Sequence, residues 1–191
     1  MRKSSVVQGI LIKPGQFYPM WLSGLFLALL LILFAPFTQA AGFSVTDTSG
    51  KTHTLAGYKG KWVLVNFWAT WCPPCLEEIP DLIALHDSKQ NNLVVLGIAV
   101  DYSNAKQVTD FADSMMMSYP IILGTSKVTN QIGPIQGLPT TYLYNPEGKM
   151  VAQQSGAITR ESVETYIASK STRADNSQTG SAKKTKTCAK C

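Results

Sequence analysis

Lys61-Trp-Val-Leu-Val-Asn-Phe-Trp-Ala-Thr-Trp-Cys-Pro-Pro-Cys-Leu-Glu-Glu-Ile-Pro80 is the stretch that decides the fold. Its opening run, Lys61 to Ala69, is β-branched and aromatic with little polarity, the composition of a strand buried on both faces. Thr70 to Pro74 form a turn. A helix is expected from about Pro73 to Lys89, because proline is tolerated in a first helical turn, where its missing N–H has no partner anyway. Pro80 lies deeper and is expected to kink that helix. Cys72 and Cys75 therefore sit at a strand-to-helix junction, spaced to close a small disulfide without moving the backbone. The helix N-terminus, with its macrodipole and free N–H groups, favours a thiolate at Cys72. A thiolate is the attacking species in disulfide exchange. Cys72 is thus expected as the exposed nucleophile, Cys75 as the more buried resolving thiol, and Trp71 as a cover that keeps one side of the pair dry. An inert bridge would gain little from so short a loop.

The pattern alternates downstream. Asn92 to Asp101 reads as a second buried strand and Asn104 to Met117 as an amphipathic helix, with Val108, Phe111, Ala112 and Met115 at helical spacing. The run Met115-Met116-Met117 suits a helix end packed on a core better than a copper site, since methionine fills gaps well. A short strand is expected at Tyr119 to Leu123. Thr140 to Tyr144 and Lys149 to Gln154 flank the turn signal Asn145-Pro-Glu-Gly148 and read as a hairpin. A closing helix is expected from Thr159 to Ala168, with Thr159 as N-cap and Ser162 in its first turn. Upstream, Gly42 to Gly60 is turn-rich, as in a small hairpin. Strands alternating with helices predict an α/β sandwich with mixed strand directions.

The string Asn66-Phe-Trp-Ala-Thr-Trp-Cys-Pro-Pro-Cys75, with Glu78 and Pro80, resembles the TlpA/ResA/DsbE-like branch of the thioredoxin superfamily. The likeness continues through Gly137-Leu-Pro-Thr-Thr-Tyr-Leu-Tyr-Asn-Pro-Glu-Gly148 and covers roughly residues 42–168. It implies a thioredoxin-like fold, a central mixed sheet flanked by helices, with an N-terminal hairpin extension and a central insertion. It implies a reductant role outside the cytoplasm, often in cytochrome c maturation, with disulfide-containing protein substrates and a membrane electron donor, and it calls for no cofactor. Leu138-Pro139 matches the family's cis-proline loop, which would present the Leu138 backbone beside the cysteines as a docking edge. Trp71, Pro73, Pro74 and Thr140 complete the substrate-binding surface that the likeness suggests. Asn66 stands where thioredoxin itself has a buried acid. Glu78 matches the acid this branch uses near the pair. It lies three residues after Cys75 on one helical face, so a partly buried carboxylate there is a candidate general base to Cys75.

The two ends are different in kind. The chain has 191 residues and a formal charge of +5, but its basic excess sits outside the domain: Arg2, Lys3 and Lys13 at one end, six basic residues against one acid from Lys170 onward at the other. Residues 41–169 carry eight basic and eleven acidic residues, and no basic stripe with interleaved aromatics marks a nucleic-acid surface. Trp21 to Ala35 is an apolar run behind a positive segment, ended by Pro36 and followed by Thr38-Gln39-Ala40. It reads as an export signal or a retained membrane anchor within residues 1–40, either of which puts the domain at residues 41–169 in the periplasm or on the outer face of the membrane. Residues 170–191 read as a disordered basic tail ending in a second Cys-x-x-Cys, Cys188 and Cys191. A second redox pair that exchanges with Cys72 and a metal site are the alternatives, but in so polar a tail the expected state is a disulfide of no consequence, though nearby lysines favour reactive thiols. A zinc ribbon built from both pairs is disfavoured by their separation and by the Trp-Cys-Pro-Pro context.

Rival readings remain open on sequence. A net oxidase or isomerase differs from a reductase only in potential and partner. A peroxidase is disfavoured by the tight cysteine spacing. A copper carrier of thioredoxin-like type would need a downstream histidine, and His53 and His86, the two histidines present, both read as ordinary surface or boundary residues.

Overall fold

The strand read from Lys61 to Ala69 forms as β3, Trp62–Trp68, with all seven residues buried. The computed structural model describes residues 42–170, apart from Lys89 and Asn91. The expected export segment and the tail carrying Cys188 and Cys191 lie outside the described residues. In chain order the elements are β1 (Ser44–Thr46), β2 (Thr52–Thr54), a 3-10 turn (Ala56–Tyr58), β3, α1 (Pro73–Asp87), β4 (Leu93–Ala99), α2 (Ala105–Ser114), β5 (Ile121–Leu123), α3 (Ser126–Thr129), β6 (Thr140–Tyr144) and β7 (Met150–Ser155). A helix at 160–170, here α4, closes the described chain.

β3 is central because it is the middle strand of five and carries a packed layer on each face. The five-stranded sheet has the order β5-β4-β3-β6-β7, with β3 parallel to β4 and antiparallel to β6. Side chains alternate across a strand. Trp62, Leu64 and Trp68 therefore join a core with Leu82 and Leu85 of α1 and Val163 and Ile167 of α4. Val63, Val65 and Phe67 point to the other face, where they meet Phe43, Val45 and Leu55 of the hairpin region. The hairpin expected between Gly42 and Gly60 covers that second face together with Val128, Ile132 and Ile135. The hairpin also reaches one sheet edge: Asp47 bridges to Ile122, and Thr48 N–H donates to Ile121 O at 2.8 Å. Asn66 has the parity of Leu64 and Trp68, so it faces α1.

Each helix forms where its apolar period permits. α1 buries Cys75, Glu78, Ile79, Leu82 and Leu85, one stripe at helical spacing, and continues unbroken through Pro80. α2 starts at Asn104, whose side chain caps Gln107 N–H at 3.0 Å, and buries Val108 and Ala112. α4 begins after Thr159, whose hydroxyl accepts from Ser162 N–H at 3.2 Å, as the capping pattern predicts. Gly97 in β4 has no room for a side chain, because a Cβ would stand 2.8 Å from the Tyr119 ring and 3.2 Å from Trp68 Nε1.

Two expectations are corrected. Met116 is not part of a packed helix end; it is 81% exposed, on a turn with φ 52°, because α2 stops at Ser114. His53 is no surface residue. It is buried at the inward position of β2, where Nε2 donates to Asp47 Oδ2 at 2.8 Å and Nδ1 pairs with the Tyr58 hydroxyl. His86 keeps its boundary position, half-buried on α1, with Nδ1 accepting from Val95 N–H at 3.2 Å.

Candidate active site

Where β3 ends and α1 begins, Cys72 and Cys75 form a disulfide with Cα atoms 5.3 Å apart. Cys72 is the N-cap and the two prolines occupy N1 and N2. This start has an unusual donor inventory. Pro73 and Pro74 have no N–H, and the next two, Cys75 N–H and Leu76 N–H, both point at Cys72 O, at 3.0 and 3.2 Å. The free N–H groups expected for a Cys72 thiolate are therefore absent from this first turn, and what the helix offers the sulfur is its dipole. A second expectation is also corrected. Cys72 is less buried than Cys75, as foreseen, but in the disulfide form it is only 4% exposed. The accessible surface around it belongs to Trp71, Pro73 and Pro74.

Trp71 is 58% exposed, and its indole N–H donates to Asp101 O at 3.1 Å. Gln107 Nε2 donates to Thr70 Oγ1 at 3.3 Å, so the residues ahead of the cysteines are tied to the β4–α2 connection. On the other side, the Leu138–Pro139 peptide bond is cis, as the resemblance implies. Leu138 is half-buried and packs against the core cluster that contains both cysteines. Thr140 does not offer a side chain to a substrate. It is fully buried, and its hydroxyl donates to Gly137 O at 2.6 Å, closing the cis-proline loop on itself.

Glu78 is far more buried than a surface helix residue, at 2% exposure. It comes one turn after Cys75 on the inner face of α1 and meets β3 from above. Its Oε1 accepts from Asn66 Nδ2 at 2.7 Å, and its Oε2 from Ile158 N–H at 3.0 Å. Asn66 Nδ2 also donates to Thr141 Oγ1 at 3.1 Å, while Asn66 Oδ1 is buried with no partner among the described residues. Burial raises the carboxyl; the hydrogen bonds from Ile158 and Asn66 oppose this, and Asp81 adds repulsion. The balance is a pKa of about 7. A carboxyl that titrates there can both take and return a proton under physiological conditions.

Sequence reasoning did not find Thr141 or the Ile158 amide. Thr141 was accessible in principle: it lies directly opposite Asn66 in the β3–β6 register. The Ile158 donor is backbone and 80 positions from Glu78, and no residue type announces it. A cavity of about 560 Å³ lies between α4 and strands β6 and β7, away from the disulfide, and reaches both Thr141 and Ile158. Among the described residues no group of three or more potential metal-binding side chains occurs.

A family model described as AhpC/TSA family matches residues 37–153. The thiol-disulfide oxidoreductase ResA of Bacillus subtilis (strain 168) is 34% identical over 131 residues, spanning 68% of this chain and 73% of that protein. A thiol:disulfide interchange protein of the thioredoxin family from Chlorobium tepidum TLS superposes with a TM-score of 0.61 at 28% identity, covering 66% of this chain and 91% of that one. The exposed lipoprotein thioredoxin of Streptococcus pneumoniae strain TIGR4 superposes with a TM-score of 0.58 at 25% identity, covering 67% and 98%.

Proposed function

The chain belongs to the AhpC/TSA family and is a thiol-disulfide oxidoreductase of the ResA type, and from that premise we propose that it is a dithiol reductase acting outside the cytoplasm through Cys72 and Cys75. The Cys72 thiolate attacks one sulfur of a substrate protein disulfide, and the first substrate thiolate leaves. The Cys75 thiol gives its proton to Glu78, and its sulfur attacks Cys72 in the mixed disulfide. The second substrate thiolate leaves, and the Cys72–Cys75 disulfide remains. Two electrons pass to the substrate, and the oxidised pair is reduced again by a membrane dithiol donor. Trp71, Pro73, Pro74 and the Leu138–Pro139 loop form the docking surface.

The donor-poor helix start is the observation that carries the direction. A strongly oxidising pair is one whose reduced, thiolate-bearing form is specially stabilised. Pro73 and Pro74 take two N–H donors from the place where such stabilisation acts, and Glu78 adds a buried acid one turn below. Both features leave the thiolate less favoured, which suits a reductant. The apolar run at Trp21 to Ala35 and the exposed lipoprotein named among the structural neighbours support the extracytoplasmic location. Apocytochrome c is the substrate class that the resemblance suggests.

The test is the reduction potential of the Cys72–Cys75 pair in the full-length protein, equilibrated against dithiothreitol or glutathione. A value near or below roughly −270 mV is expected. A value near roughly −120 mV would overturn the reductase in favour of an oxidase. In the same preparation Cys72→Ser is expected to abolish disulfide exchange, and Cys75→Ser to accumulate a mixed disulfide with substrate.

A further inference from the structure

Glu78 is held by two donors of different kinds. The Ile158 N–H is main chain and can only donate, so Oε2 must remain an acceptor in either protonation state. The Asn66 amide is different. Its oxygen and nitrogen are nearly the same size, and half a turn about the last side-chain torsion exchanges them without displacing a neighbour. Its other partner, the Thr141 hydroxyl, can donate as well as accept. Against the carboxylate, only one orientation works, with Nδ2 toward Oε1 and Thr141 Oγ1. Once Oε1 carries a proton, that orientation sets a donor against a donor. The opposite orientation then satisfies both contacts: Glu78 Oε1–H and Thr141 Oγ1–H each donate to Asn66 Oδ1. In either orientation one end of the amide lacks a partner, as Oδ1 does now.

We infer that Asn66 is a positioning residue that turns over with the protonation of Glu78, with the Thr141 hydroxyl reversing in step, so that a proton taken from Cys75 is held on Oε1. This rests on Glu78 serving as proton partner of Cys75 and deepens that reading. It gives the amide a purpose that an acid at the same place lacks. A carboxylate at position 66 would stand 2.7 Å from another and force the two to share a proton. The amide accepts either state of Glu78 and adds no charge. The titratable groups that act on Glu78 are Asp81, one helical turn further along α1, and Tyr119, which precedes β5; Cys75, one turn earlier on the same helix, is held in the disulfide. From β3, β6 and the 156–159 loop the groups that meet it are the neutral Asn66, Thr141 and Ile158 N–H.

The test uses the full-length protein with the Cys72–Cys75 pair oxidised, so that neither of these sulfurs titrates, labelled with 15N at asparagine and 13C at glutamate and threonine. At pH 9 the Asn66 side-chain amide protons should give a strong cross-peak to Thr141. Toward pH 5 it should weaken several-fold, with the midpoint at which the Glu78 carboxyl carbon shifts. A cross-peak that stays constant while the carboxyl titrates overturns the inference. Glu78→Gln supplies the second check, because its amide N–H stands in for Oε1–H. It should hold Asn66 in the low-pH orientation at every pH, and a pH 9 pattern in that variant also overturns the inference. If Glu78→Gln leaves disulfide exchange unchanged while the amide still turns over in the parent protein, the proton-partner reading fails and the amide switch stands. If exchange falls and the amide never turns, the switch alone fails.

Discussion

Two carboxyls, Asp47 at an edge of the central sheet and Glu78 packed against one of its faces, are driven in opposite directions. Asp47, in the hairpin, is held at about 2, although burial alone would raise it. It accepts from His53, from the Ser49 hydroxyl and from the N–H groups of Lys51 and Ser49, and together these outweigh the desolvation. Glu78, under α1, rises to about 7 because burial there is opposed by two donors only. Asp47, less deeply buried and accepting four hydrogen bonds, keeps a fixed charge, while Glu78, more deeply buried and accepting two, holds an exchangeable proton. Depth of burial and number of donors together decide which. The Asp47–His53–Tyr58 chain fastens the hairpin that covers the second core, while Glu78 is left short of partners beside the cysteines.

The largest test of this contrast is Glu78→Gln, read by urea denaturation across pH. The folded pKa of Glu78 lies above its unfolded value of 4.5, so stability from this group is full below 4.5 and lost as pH rises through 7. At about 1.36 kcal/mol per unit, the ionised side chain costs roughly 3 kcal/mol. The variant is expected to gain about that much at pH 8 and nothing at pH 4. Equal gains at both values would mean that packing, not charge, drives the change. Asp47→Ala should act with the opposite sign. The folded pKa lies below the unfolded 3.8, so its contribution is full above 3.8 and disappears as pH falls through 2. A loss of about 2 kcal/mol is expected at pH 7, shrinking toward pH 2. The smallest effect should come from Thr141→Val, which removes one hydrogen bond and keeps the shape. It is expected to cost about 1 kcal/mol by the same titration. A cost as large as that of Asp47→Ala would show that Glu78 is held as tightly as the hairpin acid.

Much of the frame was legible in the sequence, because the signals were local. β3 announces itself by an unbroken apolar run, α1 by its stripe, the β6–β7 turn by Asn145-Pro-Glu-Gly148, and the disulfide by its position between strand and helix. Asn66 and Glu78 could be named from the family resemblance, Glu78 also from its spacing to Cys75 on one helical face. What was hidden depended on partners distant in the chain. His53 sits in a three-residue strand too short to show alternation, and only the packing of the hairpin on the sheet buries it. The shielding of Cys72 comes from its surroundings rather than its spacing. The donor inventory of the first helical turn was readable from Pro73-Pro74, but its exhaustion required the two bonds to Cys72 O.

The Ile158 bond to Glu78 also has a consequence in time. Protein chains are made from their N-terminal end, so Asn66, both active cysteines and Glu78 emerge well before Ile158. Until it emerges, the carboxyl under the cysteines has its side-chain donor but not its main-chain one. The chemistry of the pair is thus complete only when the closing helix docks, and a chain arrested before β7 would carry reactive sulfurs whose acid is not yet governed.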